Sequence, residues 1–176
     1  MEKKLTDFKA IVGLGNPGNK FKKTRHNVGF MFLNMLADNN KLDWSNSKRF
    51  QSQIAKWNST TLLKPQTYMN KSGIAVQIFC QKNGIKDFKS LLVIHDELDL
   101  PLGEFKLSFA KSSPSHNGVS SIEEKLGSDQ FWRLRIGTEN RELKEISGKE
   151  YVLQRFSQEE LDKILAVFVK LQKVLL

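Results

Sequence analysis

The period of the hydrophobic pattern switches repeatedly along the chain. Lys9-Ala10-Ile11-Val12-Gly13-Leu14 is a continuous apolar run that reads as a buried strand, closed by a turn of glycine, asparagine and proline through Gly18. After a basic loop, Val28, Met31, Phe32, Met35 and Leu36 recur at helical spacing, with Asn34 and Asp38 on the other face. Gln51 to Trp57 and Thr60 to Leu63 flank Asn58-Ser59 and predict a hairpin. Ile74, Ile78 and Phe79 mark a second helix from near Asn70 to the stop signal Asn83-Gly84. Leu91-Leu92-Val93-Ile94 is the signature of a central strand ending at the acidic cluster that follows.

Further on, Gly103 to Phe109 alternates as a half-exposed strand should. Ser120 with Glu123, and Ser121 with Glu124, fit a capping box for a short helix to Leu126. Trp132 to Ile136 is a further strand. The last helix opens at Ser157, with Glu160 in capping position and Leu161, Ile164, Leu165, Phe168 and Leu171 along one side. The charged stretch 139–150 reads as a mobile surface loop. Strands and helices alternate, so the expected fold class is α/β, a single globular domain over residues 1–176 with a mixed, mostly parallel central sheet flanked by helices.

Charge adds a direction to this outline. Lys and Arg total 28 against 19 Asp and Glu, a net charge of +9 and a pI near 9.6, which favours a polyanionic partner such as nucleic acid. The one cysteine, Cys80, excludes an internal disulfide and sits in an apolar helix, as a small buried side chain would. The N-terminus lacks the apolar stretch of a signal peptide, and no run of 18 apolar residues occurs, so a cytoplasmic protein without a membrane partner is expected.

All three histidines fall inside short polar strings: Thr24-Arg25-His26-Asn27, His95-Asp96-Glu97-Leu98-Asp99 and His116-Asn117-Gly118. A neutral imidazole takes a proton from water when a carboxylate fixes its tautomer and stabilises the imidazolium. His26 is the candidate base. Asp96 is its candidate partner, because it follows a buried strand directly and α/β folds gather ligands at strand carboxyl ends. Alternation points His95 away from Asp96, toward a structural role, and leaves Glu97 and Asp99 open as solvated acids.

Gly13-x-Gly15-x-x-Gly18 after a strand invites a dinucleotide-binding reading, but the basic stretch Lys20 to Arg25 separates the glycines from the helix that should receive the pyrophosphate. A nucleotide-dependent oxidoreductase is therefore disfavoured, and no cofactor is expected. No His-Glu-x-x-His spacing is present, so no metal is expected either. No serine sits in a Gly-x-Ser-x-Gly elbow, which leaves activated water as the simplest nucleophile. The carboxamides of Asn16, Asn70 and Asn117 offer donors and acceptors without titrating, suited to holding carbonyls and peptide groups. Tyr68 and Met69 form either an apolar wall or core. Lys106, Lys111, Arg133 and Arg135 are candidates for phosphate contacts.

Taken in order, Gly13 to Gly18, Thr24 to Gly29, Lys64-Pro65-Gln66-Thr67-Tyr68-Met69-Asn70-Lys71-Ser72-Gly73, His95 to Pro101, His116 to Gly118 and Phe131-Trp132-Arg133-Leu134-Arg135-Ile136-Gly137 resemble bacterial peptidyl-tRNA hydrolase across nearly the whole chain. That resemblance implies hydrolysis of the ester joining a peptide to the 3′ end of tRNA, by a monomer without metal. It implies His26 as catalytic base and Asp96 as orienting acid. Asn16, Phe21, Tyr68, Asn70 and Asn117 become substrate-binding residues, with Asn16 and Asn117 also placing water or the transition state. Lys106, Lys111 and Arg135 become tRNA contacts.

The chain departs from the family pattern in four places. Lys111-Ser112-Ser113-Pro114-Ser115 replaces a glycine-rich loop, Phe21 a usual tyrosine, Ser108 a residue that is often basic, and Gly137-Thr138-Glu139-Asn140 a glycine-containing continuation. The alternative reading is a non-catalytic RNA-binding module of the same fold.

Overall fold

A computed structural model describes residues 3–111, 115–142 and 145–175. Seven strands form one sheet: β1 (Ala10–Gly13), β2 (Ser45–Ser47), β3 (Ser52–Trp57), β4 (Thr60–Pro65), β5 (Leu91–Pro101), β6 (Phe105–Phe109) and β7 (Trp132–Glu139), in the spatial order β2-β3-β4-β1-β5-β7-β6. The sheet is mixed, as the alternating elements imply. Parallel pairing is confined to the central β4-β1-β5-β7, and the outer strands add antiparallel pairs on both sides.

Helices cover both faces, because the central strands are apolar on both. Helices α1 (Val28–Asn39) and α5 (Gln158–Leu175) pack on the face that carries Ile11, Leu92, Ile94, Leu134 and Ile136. Helices α2 (Ser72–Lys82) and α3 (Asn117–Leu126) cover Ala10, Val12, Leu91 and Val93 opposite. The expected capping box opens α5: Ser157 Oγ accepts from the Glu160 N–H, and Glu160 Oε2 accepts from the Ser157 N–H. Leu165 does not share the buried side of this helix. One position on from Ile164, its side chain turns to solvent. Cys80 is buried in α2, and burial pushes its thiol up to about 11.

Two departures from the expected elements shape the site. Strand β5 does not stop at Ile94 but continues to Pro101, because β7 stays paired with it through Asp96↔Ile136 and Glu97↔Gly137. On its other side the last β1 pair is Gly13↔Ile94, so beyond Ile94 that edge of β5 is uncovered. The acidic cluster thus lies within a strand, one edge of which opens into a cleft. The second departure is α3, which starts at Asn117 rather than near Ser120. Its N-cap is His116, whose imidazole accepts from the Val119 N–H, so the Ser-x-x-Glu patterns fall inside the helix. The stretch 139–150 includes the short helix α4 (Gly148–Tyr151), with Leu143 and Lys144 outside the described residues.

Candidate active site

The turn after β1, the start of α1, β5, α4 and the start of α3 meet around a cleft of about 730 Å³ lined by Asn16, His26, Tyr68, Met69, Asn70, Asp96, His116 and Asn117, among others. His26 lies in a single helical turn, Arg25–Asn27, that leads into α1. Both neighbouring amides are fixed, Arg25 N–H donating to the Gln154 carbonyl and His26 N–H to that of Val152. Beside it, the Arg25 guanidinium is buried against Tyr151, and its Nη2 donates to both carboxylate oxygens of Glu160, at 2.7 and 2.8 Å. The turn that carries His26 is thereby tied to α5.

His26 Nδ1 lies 2.8 Å from Asp96 Oδ1, and His116 Nε2 lies 2.8 Å from the same oxygen. Because His116 Nδ1 accepts the Val119 N–H, its proton is on Nε2, and it donates to Asp96. His26 likewise donates from Nδ1, which leaves its Nε2 as the basic atom. Burial disfavours the charged form of His26, but the charge and hydrogen bond of Asp96 outweigh it, and the net shift is upward. Burial also opposes ionisation of Asp96, yet the two facing histidines hold its carboxyl well below the usual carboxylate range.

His95 takes the structural role expected. Its Nδ1 donates to the Asp96 carbonyl at 2.7 Å, its ring meets that of His116 edge-on, and full burial, more than offsetting the neighbouring Asp96, drives its pKa down to about 3. It is neutral at physiological pH.

The carboxamides are built into the wall unequally. Asn27 clamps the main chain of Asn16 on both sides, its Oδ1 accepting from the Asn16 N–H and its Nδ2 donating to the Asn16 carbonyl, both at 2.9 Å. Asn16 Oδ1 accepts the Met69 N–H at 2.8 Å, so its amide nitrogen is the atom left for a ligand. Asn70 and Asn117 line the cleft with exposed side chains, Tyr68 stands on the rim at 60% exposure, and Met69 is a buried wall. A Cβ on Gly118 would run into the Met69 sulfur, which explains a glycine in that string.

Several expected residues stand elsewhere. Phe21 is half-buried beneath Lys20 and outside the cleft lining. Arg135 is not available to tRNA: it is buried, its Nε donating to Glu97 Oε2 at 2.8 Å across the β5-β7 pair. The same bond removes Glu97 from the solvated acids. Arg133 is fully buried and held by Glu123 and by the carbonyls of Asp129 and Phe131. Lys106 and Lys111 are exposed, and Ser112, Ser113 and Pro114 lie outside the described residues. His116, not expected at the site from sequence, shares Asp96 with His26; its place just ahead of a helix start is the signal the sequence carries for it.

His26, Asp96 and His116 are also the group of potential metal ligands among the described residues, with atoms within 4.8 Å of one another. His26 Nδ1 and His116 Nε2 both face Asp96 Oδ1 at hydrogen-bond distance, so the three form a hydrogen-bonded triad. No described helix is long and apolar enough to cross a membrane.

An imidazole held by a buried carboxylate in an amide-lined cleft, at the carboxyl ends of the parallel strands of a mixed sheet, is the class of site that can activate water by general-base chemistry. Residues 10–176 match the model of the peptidyl-tRNA hydrolase family, and the chain belongs to that family. It is 44% identical to the peptidyl-tRNA hydrolase of Campylobacter concisus over 162 residues, 89% of this chain and 82% of that one. It is also 44% identical to that of a Sulfurihydrogenibium species over 168 residues, 90% of this chain and 86% of the other. Among solved structures, a peptidyl-tRNA hydrolase from Acinetobacter baumannii superposes with a TM-score of 0.86 at 34% identity, covering 96% of this chain and 88% of that one.

Proposed function

We infer that the protein hydrolyses the ester between peptide and the 3′ end of tRNA in peptidyl-tRNA, releasing free tRNA and peptide, by means of a water activated by His26. One observation carries this reading: the Nδ1 side of His26 is engaged by a buried, ionised Asp96, which directs the basic Nε2 away from that bond in a cleft lined by carboxamides. Water bound at Nε2 gives up its proton as it attacks the ester carbonyl, and Asp96 stabilises the imidazolium that forms. That proton then goes to the departing ribose oxygen. An ester is activated enough for this route, so no covalent intermediate on the enzyme and no metal are needed.

Asn16 Nδ2 and the Asn117 carboxamide are placed to polarise the carbonyl and position the water. Asn70 binds peptide groups at the cleft mouth, and Tyr68 with Met69 offers an apolar surface to side chains. An enzyme that reads amides in this way distinguishes peptidyl from aminoacyl esters, because a ligand lacking the peptide bond leaves those groups unpaired. The exposed Lys106 and Lys111 supply phosphate contacts for tRNA. The protein works as one domain, as a monomer, in the cytoplasm where tRNA is found.

The test is turnover of a purified peptidyl-tRNA by wild type and by His26→Ala. Hydrolysis by wild type and loss of turnover with retained tRNA binding in the variant is the expected result. Equal rates would remove His26 as the base, and binding without hydrolysis by wild type would make the protein an RNA-binding module.

A further inference from the structure

Behind the turn that carries Asn16 lies a second cavity of about 320 Å³, whose lining includes Gly18, Lys22, Asn34, Lys64 and Gln66. Asn16 borders both cavities, so the two are neighbours across this residue. Among the described residues, no carboxylate lines the second one.

Lys64 is the anomaly there. It projects from the central strand β4 and is only 5% exposed, where a lysine ordinarily needs a carboxylate. Its ammonium donates to Asn34 Oδ1 at 2.5 Å and sits 3.8 Å from the ring centre of Trp44, which accounts for one of its three N–H groups and gives the charge an aromatic face. Asp38, the acid that acts on it electrostatically, is exposed and makes no ion pair with it among the described residues. Burial therefore prevails and lowers the lysine to about 8. The remaining donors have a cavity beside them, with Lys22 at the rim and carboxamides around it. A lysine buried on a β-strand, whose burial the exposed Asp38 does not offset, is costly as it stands, and a bound anion reduces the cost.

We propose that this second cavity is a phosphate-binding site, with Lys64 at its base and Lys22 at its mouth, filled by a phosphate group of bound tRNA or by free phosphate. Two lysines in a lining rich in asparagine and glutamine suit a compact dianion rather than a neutral base. A phosphate seated there contacts the back of the turn whose front presents Asn16 to the ester. The tRNA source rests on the hydrolase reading above; binding of free phosphate does not.

Inorganic phosphate titrated against the ¹⁵N-labelled protein, with sodium chloride and sodium acetate at matched ionic strength as controls, tests the site directly. The expected result is a saturable shift of the Gly18 and Asn19 amides and of the Asn34 and Gln66 carboxamides with phosphate alone. Lys22→Ala, an exposed position that does not put the fold at risk, weakens phosphate about tenfold, the effect of one charge-assisted hydrogen bond, and Lys64→Gln weakens it further. Shifts of equal size with chloride or acetate, or phosphate affinity unchanged in Lys22→Ala, would overturn the proposal.

A second arm adds a deacylated tRNA acceptor-stem hairpin. If tRNA is the source, the hairpin moves the same signals and inorganic phosphate competes with it. If the hairpin binds without moving them, free phosphate is the occupant. Loss of hydrolysis with phosphate binding intact would sink the hydrolase reading and leave the site standing.

Discussion

The rings of His26 and His116 lie 4.8 Å apart, and each turns one nitrogen to the same oxygen of Asp96. A single carboxylate oxygen thus receives two N–H donors, and the histidines differ in what lies on their far side. His116 has its other nitrogen committed to the first turn of α3, whereas His26 has its own in the cleft. That difference gives the two imidazoles unequal freedom: His116 is fixed at both nitrogens, and His26 at one.

Replacing Asp96 with Asn tests the proposed role of that carboxylate. The amide cannot accept from Nδ1–H and stabilise an imidazolium as the carboxylate does, and it permits the wrong tautomer of His26. A fall in kcat of roughly 10²- to 10⁴-fold is expected, the range found when a general base is disabled or its orienting acid is neutralised. Single-turnover hydrolysis of peptidyl-tRNA measures it, and a change below about threefold would show that Asp96 does not orient the base.

The pH dependence carries a sign. Burial lowers the His26 pKa and Asp96 raises it by more, so the free-enzyme value lies above 6.5. Activity needs the neutral base, so kcat/KM should fall on the acid side with an apparent pKa above 6.5. Stability runs the other way. The His26-Asp96 attraction contributes fully below pH 6.5 and is lost as pH rises through the folded-state value. An acid limb centred below 6.5 would contradict the arrangement.

His116→Asn separates the carboxylate-holding role from a merely structural one. Asparagine is a good N-cap, so α3 keeps its start, but it is too short to donate to Asp96. With one donor gone, the carboxylate interacts more strongly with His26, and the acid limb should move to higher pH with a modest drop in kcat. A purely structural His116 would lower stability and leave the pH profile where it was.

Much of this site is visible in the sequence, for physical reasons that can be named. His26 is legible as a titratable ring beside Asn27 at the start of a helix, and Asp96 as a carboxylate that comes just after the apolar run Leu91–Ile94, where a sheet opens. Arg135 was misplaced because a basic residue on a strand reads the same whether its partner is a phosphate or a carboxylate. Only the β5-β7 register, setting His95 opposite Arg135 and Asp96 opposite Ile136, brings Glu97 within reach. Likewise β2 is Ser45-Asn46-Ser47, a polar edge strand with no hydrophobic period to betray it. The start of α3 was missed because an imidazole does the capping that serine and glutamate appeared to offer.

The Arg25-Glu160 pair joins the turn that carries His26 to the last helix, and breaking it should affect both stability and rate. Both side chains are nearly buried, and removing one partner leaves the other uncompensated. Glu160→Gln should therefore cost about 3 kcal/mol, read by urea denaturation. Burial opposes ionisation of Glu160, but the Ser157 amide, Arg25 and Asn140 together hold its pKa below 4.5. Its contribution is present above pH 4.5 and lost as pH falls through the folded-state value, so wild type and variant should converge in acid.

Two basic side chains on neighbouring strands should respond differently to substitution, although sequence alone made both of them tRNA contacts. Lys106 is exposed on β6, directly opposite Arg135 of β7 in the register. If Lys106 meets a phosphate, Lys106→Gln weakens binding of tRNA uniformly and lowers the slope of log affinity against log salt by about 1, the counterion released by one contact. Arg135 is sealed against Glu97 and releases no counterion. Arg135→Gln should leave that slope unchanged and instead destabilise the fold by about 3 kcal/mol, because Glu97 is left buried without its cation. Fluorescence titration of tRNA at several salt concentrations, with urea denaturation of both variants, checks the pair. A reduced slope in Arg135→Gln at unchanged stability would place its guanidinium on the nucleic acid after all.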